Sequence, residues 1–386
     1  MKKKILSTVL AALLLTITAC GDSASSASKA TEATVSSISI KEDPIVVSVS
    51  EPEPEPEPEE NHDGQYRSEL TNEWISEDIK DQRPIAVMVD NEKVALPHYG
   101  TSEADIVYEL VNSYKNDYIT RLMCIFKDWK NVPVIGNVRS ARPTNIILFP
   151  EYNAILIHDG GPHWINDWLK YDIAKHHFSG GFARIDRGKA DFYEEYVTTE
   201  DHKGTEGFAG KTYVGLVNRI KKAGFGEEYN KYYMGEHFTF SDKEFSLEDE
   251  AKAQKAENIE MPFPHNKSNL KYNKDTKTYD YYEYGELYTD AAAETEKRMS
   301  FKNLIIYSAK LIEQDENGYM IYGAIDSGEG YYITDGYAIP IKWKKAGMDK
   351  LTEFTNAKTG EPITLNTGKT YISIVPTDFW KKLVIE

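Results

Sequence analysis

Arg83-Pro84-Ile85-Ala86-Val87-Met88-Val89-Asp90-Asn91 is the stretch whose reading decides the fold. Its apolar run is too short for a helix of ordinary length and is bounded by Pro84 on one side and Asp90-Asn91 on the other. Such a run reads as a buried strand. Working outward, residues 104–111 and 119–126 read as two further strands joined by a polar turn, and 132–138 as another. Arg139-Ser140-Ala141-Arg142-Pro143 then opens an expected helix that runs to about Pro150, with proline in its first turn where a missing N–H costs nothing. Residues 153–157 return to strand and run out at His158-Asp159-Gly160-Gly161. Helical segments are expected at 164–170, 192–196 and 211–223. Strands and helices mixed in this order predict an α/β lobe over 83–245.

The charged stretch 246–257 carries no strand pattern and is read as the lobe boundary. Beyond it the pattern changes to short alternating strands at 279–284, 303–308, 319–323, 330–333, 338–343 and 370–375. Between them stand turn sequences such as Glu316-Asn317-Gly318, Thr334-Asp335-Gly336 and Asn366-Thr367-Gly368. Residues 257–386 therefore read as a mostly β lobe. The expected fold class is α+β, a mixed α/β lobe followed by a mostly β one. A chain of 386 residues with 40% apolar content suits two domains.

The amino-terminal region is of another kind. Met1 to Lys4 is basic, and 5–16 is an apolar stretch too short to cross a bilayer core of about 30 Å. Ile17-Thr18-Ala19-Cys20-Gly21 then resembles a lipobox, with small residues ahead of a cysteine whose thiol takes lipid. Residues 1–19 are thus expected to be a secretory signal and Cys20 the lipid attachment point. Between Cys20 and Asn72 there are twelve acids against three bases and few apolar groups, including the tract Glu51-Pro52-Glu53-Pro54-Glu55-Pro56-Glu57-Pro58. Proline fixes φ and the glutamates repel, so 20–72 reads as a disordered acidic stalk with a stiff polyproline II portion.

The formal net charge of −17 repels phosphate backbones, so nucleic acid is not an expected partner. Cys20 is committed to the anchor, which leaves Cys124 with no partner for an intrachain disulfide.

The motifs Arg83 to Asn91, Ala104-Asp105-Ile106-Val107-Tyr108-Glu109, Ile119-Thr120-Arg121, Val138-Arg139-Ser140-Ala141-Arg142-Pro143 and His158 resemble the signature of the YerB-like lipoproteins. Asp326-Ser327-Gly328-Glu329-Gly330, Trp343-Lys344-Lys345 and Thr370-Tyr371-Ile372 extend the resemblance through the second lobe. The chain departs from the pattern at Asn116-Asp117-Tyr118, at Gly136-Asn137 and at Asp159. The resemblance implies two domains, both of unknown function, on a lipid-anchored body.

The constellation that carries chemistry is Arg139, Ser140 and Arg142 at a helix start, where N–H groups and paired guanidiniums suit a carboxylate or phosphate. Asp90, Asn91, His158 and Asp159 fall just past apolar strands, where open sheets place ligands, and Arg121 falls beside a strand start. These eight residues form the expected anionic-ligand site. The competing reading makes them a structural network in which Asp90 and Glu109 neutralise the arginines. No metal or other cofactor is expected, because His158, Asp159, His163, His176 and His177 match no standard zinc spacing. Ser140 lacks a G-x-S-x-G elbow, and Cys124 sits in an apolar run as a core thiol. The tyrosine-rich run 279–284 suits cross-strand packing, with ring stacking on sugar as its alternative.

These features point to a non-catalytic, extracytoplasmic lipoprotein held on the outer face of the membrane through Cys20. It would bind or scaffold a cell-wall component or envelope protein. The rivals are an envelope hydrolase that uses Asp90, His158 or Asp159 as acid and base, and a transporter's solute-binding subunit. Replacing Cys20 with Ala should move the protein from the membrane fraction to the soluble one on cell fractionation; continued membrane retention would reject the lipid anchor.

Overall fold

The structure, a computed structural model, describes residues 61–203, 211–292 and 297–386. The expected signal, Cys20 and the acidic Pro-Glu tract lie outside them. Among the described residues strand accounts for 39% and helix, 3-10 turns included, for 14%, which corrects the expected α/β lobe toward a mostly β architecture.

Eleven strands build the main sheet. In chain order they are β1 (Ile85–Asp90), β2 (Ile106–Ser113), β3 (Ile119–Phe126), β4 (Ile155–His158), β5 (His177–Ser179), β6 (Gln254–Lys255), β7 (Asn303–Ala309), β8 (Ser327–Thr334), β9 (Tyr337–Lys344), β10 (Glu353–Asn356) and β11 (Thr370–Pro376). Across the sheet the order is β6-β9-β8-β7-β11-β2-β3-β1-β4-β5, with β10 also paired to β9. Every residue of β1, β2, β3, β7 and β11 is buried, as near-continuous apolar runs require when both faces are covered.

Strands from 83–245 and from 257–386 thus share one sheet and one hydrophobic core. The joint is β11, parallel to β7 on one side and to β2 on the other. The stretch 246–257, expected to mark a boundary, supplies edge strand β6 to this same sheet. A six-stranded second sheet is made of Asn258–Glu260, Asn269–Asn273, Thr278–Glu283, Glu286–Leu287, Ser300–Phe301 and Val384–Ile385. In its Tyr-rich strand Tyr279 and Tyr281 are wholly buried, so that run serves mainly as packing.

Helix is sparse. Of the segment from Arg139 to Pro150 only α1 (Pro143–Leu148) is α-helical, and it is buried throughout. The expected helices at 164–170 and 211–223 shrink to α2 (Ile165–Trp168) and α3 (Leu216–Ala223). The third, at 192–196, is instead a 3-10 turn (Asp191–Tyr193) and a strand (Glu195–Thr198) paired with Val134–Gly136, because pairing with a distant strand overrides local propensity. The last part of the expected stalk is also folded. Gln65–Arg67 pairs with Trp74–Ser76 and Leu70 is buried in the core.

Glu151 and Lys345 form an ion pair at 3.0 Å with both side chains fully buried. Thr352 donates to Glu151 through its N–H (2.7 Å) and its hydroxyl (2.9 Å), and His237 Nε2 lies 3.3 Å away. Removing one partner of such a pair leaves an uncompensated charge in the core. Lys345→Met should therefore lower stability by about 3 kcal/mol or more in urea denaturation, while Lys170→Met, at an exposed pair with Asp167, should leave the midpoint unchanged. Equal effects from the two variants would show that the buried pair contributes no more than the exposed one.

Candidate functional site

The candidate site gathers where β1 and β4 end. Residues 137–139 cross beside those ends: Asp90 N donates to the Asn137 carbonyl (3.2 Å), Arg139 N to Met88 (2.8 Å) and Asp159 N to Arg139 (3.0 Å). This crossing brings Arg139 beside Asp90, and Arg139 Nε donates to Asp90 Oδ2 at 2.6 Å. Its guanidinium lies 5.2 Å from the centroid of Phe192 and 5.6 Å from that of Tyr193. Arg121 stands opposite Asp90 in the β1–β3 register. Burial alone would raise the Asp90 pKa, but Arg121 and Arg139 outweigh it and hold the carboxyl below its usual range.

Arg121 and Arg142 are each 8% exposed. Arg121 Nη1 donates to the Ser140 carbonyl (2.8 Å), and Arg142 Nη1 to the Ala141 carbonyl (2.9 Å). The Arg142 guanidinium sits 4.4 Å from the Tyr319 ring centroid. The Nε of both arginines is buried without a hydrogen-bond partner. Among the described residues, Asp90 is the one carboxylate in ion-pair contact with any of the three arginines. Burial, then the charge of Arg121, pushes the Arg142 pKa down to about 9. Burial also lowers Arg121, against the pull of Asp90. Arg139 contacts Asp90, Arg121 acts on the same carboxylate, and Arg142 lies beside Arg121 without an ion-pair partner among the described residues, with Glu92 and Asp315 acting on the cluster at longer range.

The network reading assigned Glu109 to neutralise these arginines, and the structure places it elsewhere. Glu109 is fully buried and accepts from the hydroxyls of Thr120 (2.7 Å), Ser268 (2.6 Å) and Tyr371 (2.6 Å). Asn91 is likewise drawn inward. Its amide donates to Thr120 Oγ1 (2.9 Å), and its carbonyl accepts from Asn266 and from Tyr284, both at 2.6 Å. Asn91 therefore clamps β1 to the second sheet and does not face the arginines. The helix start contributes little to anion binding, because α1 has six residues and Arg142 N is already capped by Asn145 Oδ1 at 2.9 Å.

His158 is 2% exposed, and both its nitrogens are used. Nδ1 faces the Gly160 carbonyl at 2.8 Å, which requires a proton there, so Nε2 accepts from His177 Nδ1 at 3.1 Å. Burial pushes its pKa down to about 4, so the ring is neutral near pH 7. Asp159 is partly exposed, 4.0 Å from Arg184, which also donates to the buried Glu195 at 3.1 Å. Burial, then the neighbouring Asp159 carboxyl, pushes the Glu195 pKa up to about 7. Sequence reasoning missed Glu195, because the stretch around it reads locally as helix. Of the other histidines considered, His176 meets Arg83 Nη1 at 2.7 Å and stacks on Phe225. Cys124 is buried, and burial pushes its thiol pKa up.

Comparison with known proteins places this geometry in a family. Residues 70–211 match the profile described as the N-terminal domain of a protein of unknown function, DUF3048, and 259–372 match the corresponding C-terminal domain. YerB of Bacillus subtilis (strain 168), a lipoprotein by its assigned name, is 26% identical over 312 residues, covering 80% of this chain and 86% of that protein. The crystal structure of Bacillus subtilis YerB superposes with a TM-score of 0.66 at 23% identity, over 83% of this chain and 99% of the other, a likeness of fold.

The unequal charge balance makes the arginines separable. Arg139→Gln should destabilise by roughly 1–3 kcal/mol, because it strips Asp90 of its direct partner. Arg142→Gln should cost much less, since it removes a buried cation repelled by Arg121. Urea unfolding of both variants checks the order, and the reverse order would mean that Arg142, not Arg139, holds the network together.

Proposed function

The chain belongs to the two-domain DUF3048 family that includes YerB, and from that premise we propose that it is a lipid-anchored extracytoplasmic protein that binds an anionic group without transforming it. The group is a carboxylate or phosphate, presented by a cell-wall component or an envelope protein. It binds at Arg121, Arg139 and Arg142, beside Ser140. The observation that carries this reading is the pair of buried guanidinium groups whose Nε atoms lack acceptors. A desolvated N–H without an acceptor costs about 1–3 kcal/mol, and an anion that accepts from it offsets both that cost and the mutual repulsion of the arginines. Arg139, at 27% side-chain exposure, gives the niche its contact with solvent.

The same geometry favours binding over chemistry. His158 has both nitrogens engaged, so neither is free to activate Ser140. Asp90, paired with Arg139 and held in its ionised form, is a poor proton donor. A transporter's solute-binding subunit commonly has two similar α/β lobes, and a sheet that runs through both halves of this body speaks against that class. The hydrolase reading keeps one supporting observation, the Asp159–Glu195 pair, in which Glu195 retains a proton to about pH 7 and can act as an acid. Lysis of purified cell wall by this protein, lost in Glu195→Gln, would establish that rival.

Inorganic phosphate and citrate are the probes for the leading reading. Either should raise the melting temperature saturably above that in chloride at equal ionic strength. The double variant Arg121→Gln/Arg142→Gln should abolish the response while remaining folded by circular dichroism. A folded double variant that responds like the parent, or a parent that responds to neither probe, overturns the proposal.

A further inference from the structure

A second place in the fold holds a buried titratable group that the chain leaves largely unsatisfied, and here it is an acid. The strand Thr278–Glu283 ends at Glu283, which is 2% exposed. Neither carboxyl oxygen has a hydrogen-bond partner among the described residues. Asn266, the amide nearest to it in kind, gives its N–H groups to the Asn91 carbonyl (2.6 Å) and the Tyr284 hydroxyl (3.0 Å). Burial, then repulsion from the buried Glu109 carboxyl, raises the Glu283 pKa well above the carboxylate range, against the opposing pull of the Asn266 amide. Protonation removes the charge but leaves an O–H with no acceptor within hydrogen-bond distance, so the acid is poorly satisfied by the chain alone.

Glu283 lines a cavity of about 260 Å³. Leu96, Pro97 and Leu287 give it aliphatic walls, and Tyr288 gives it an aromatic one. Tyr288 is held in place through its hydroxyl by His98 (2.5 Å) and Thr101 (2.6 Å). Glu286, directly across the strand pair from Glu283, is exposed and also lines the cavity. A cation entering here passes the Glu286 carboxylate at the surface and meets the Glu283 carboxyl group inside, beside an aromatic ring.

We propose that this cavity binds a small organic ammonium, a primary amine on a short aliphatic body, with Glu283 as its buried counter-ion and Glu286 at its mouth. Each wall has a part in that choice. The aliphatic side chains match a hydrocarbon stem, and the Glu283 carboxyl, releasing its proton to solvent as the cation enters, becomes a carboxylate that accepts the N–H donors of an ammonium. A bare metal ion is disfavoured, because it needs several hard oxygen ligands, and among the described residues no three His, Cys, Asp or Glu groups converge to hold one. The acidic surface of the protein, at net −17, raises the local concentration of any cation. The cavity shares no residue with the arginine niche, so the two sites stand or fall separately.

The test is calorimetric titration of the folded protein with n-butylammonium chloride, with potassium chloride and calcium chloride as controls at matched ionic strength. Wild type should bind n-butylammonium saturably in the millimolar range or tighter, and the inorganic cations should give no saturable signal. Glu283→Gln should weaken the binding at least tenfold, and Glu286→Gln only a few-fold. Should Glu283→Gln fail to fold, Leu287→Trp, which narrows the cavity from its rim, should abolish binding with the carboxylate retained. Saturable binding of calcium but not of the amine overturns the assignment in favour of a metal site. The absence of any saturable signal in folded wild type, or a Glu283→Gln protein that binds as well as wild type, overturns it outright.

Discussion

Strand β11 is the constraint on which the rest depends. It lies between β7 and β2, hydrogen-bonded in parallel to both, with all its residues buried. Without it the main sheet divides into two smaller sheets, each with an open edge facing the other. With it, the strand that carries Asp90 is fixed relative to everything downstream through β2, β3 and β1 in turn. The candidate anion site is thus located by a strand that contributes no side chain to it. The two family profiles stop at 211 and begin again at 259, yet the end of the second segment pairs with the start of the first. The two sequence domains share the main sheet.

Much of the strand content was legible in the sequence because it was written locally. Residues 85–90, 106–113, 119–126, 303–309 and 370–376 are apolar runs bounded by turn residues, and each is a strand. What was not legible is which runs lie side by side, since β11 and β2 are separated by more than half the chain and no local signal records the pairing. The same limit explains the residues 192–196, whose helical pattern yields to pairing with Val134–Gly136, and the charged stretch at 246–257, which ends as an edge strand.

Of the residues expected to gather at the candidate site, some meet in the fold and others are drawn elsewhere. Arg139 and Arg142 stand close in sequence and share one neighbourhood, and Asp90 meets Arg139 because residues 137–139 cross beside the end of its strand. Glu109 is adjacent to none of its partners in sequence. It is drawn to Ser268 and Tyr371, which arrive from the far half of the chain. Glu195 and Glu283 gave no sign of themselves either, because a carboxyl group becomes unusual only through the apolar surroundings that distant segments supply. Glu109 and Glu283 make the point together. They are equally buried, but one is surrounded by three hydroxyl donors and the other by none.

The position of β11 also bears on how the molecule comes into being. Residues 303–309 and 106–113 are made long before 370–376 emerges, and both must wait with unpaired backbone edges until that strand slots between them. The last long strand thus enters between two made before it, a late, non-local pairing. Until that strand is in place, the two edges it will cover are open to mispairing with those of a neighbouring chain.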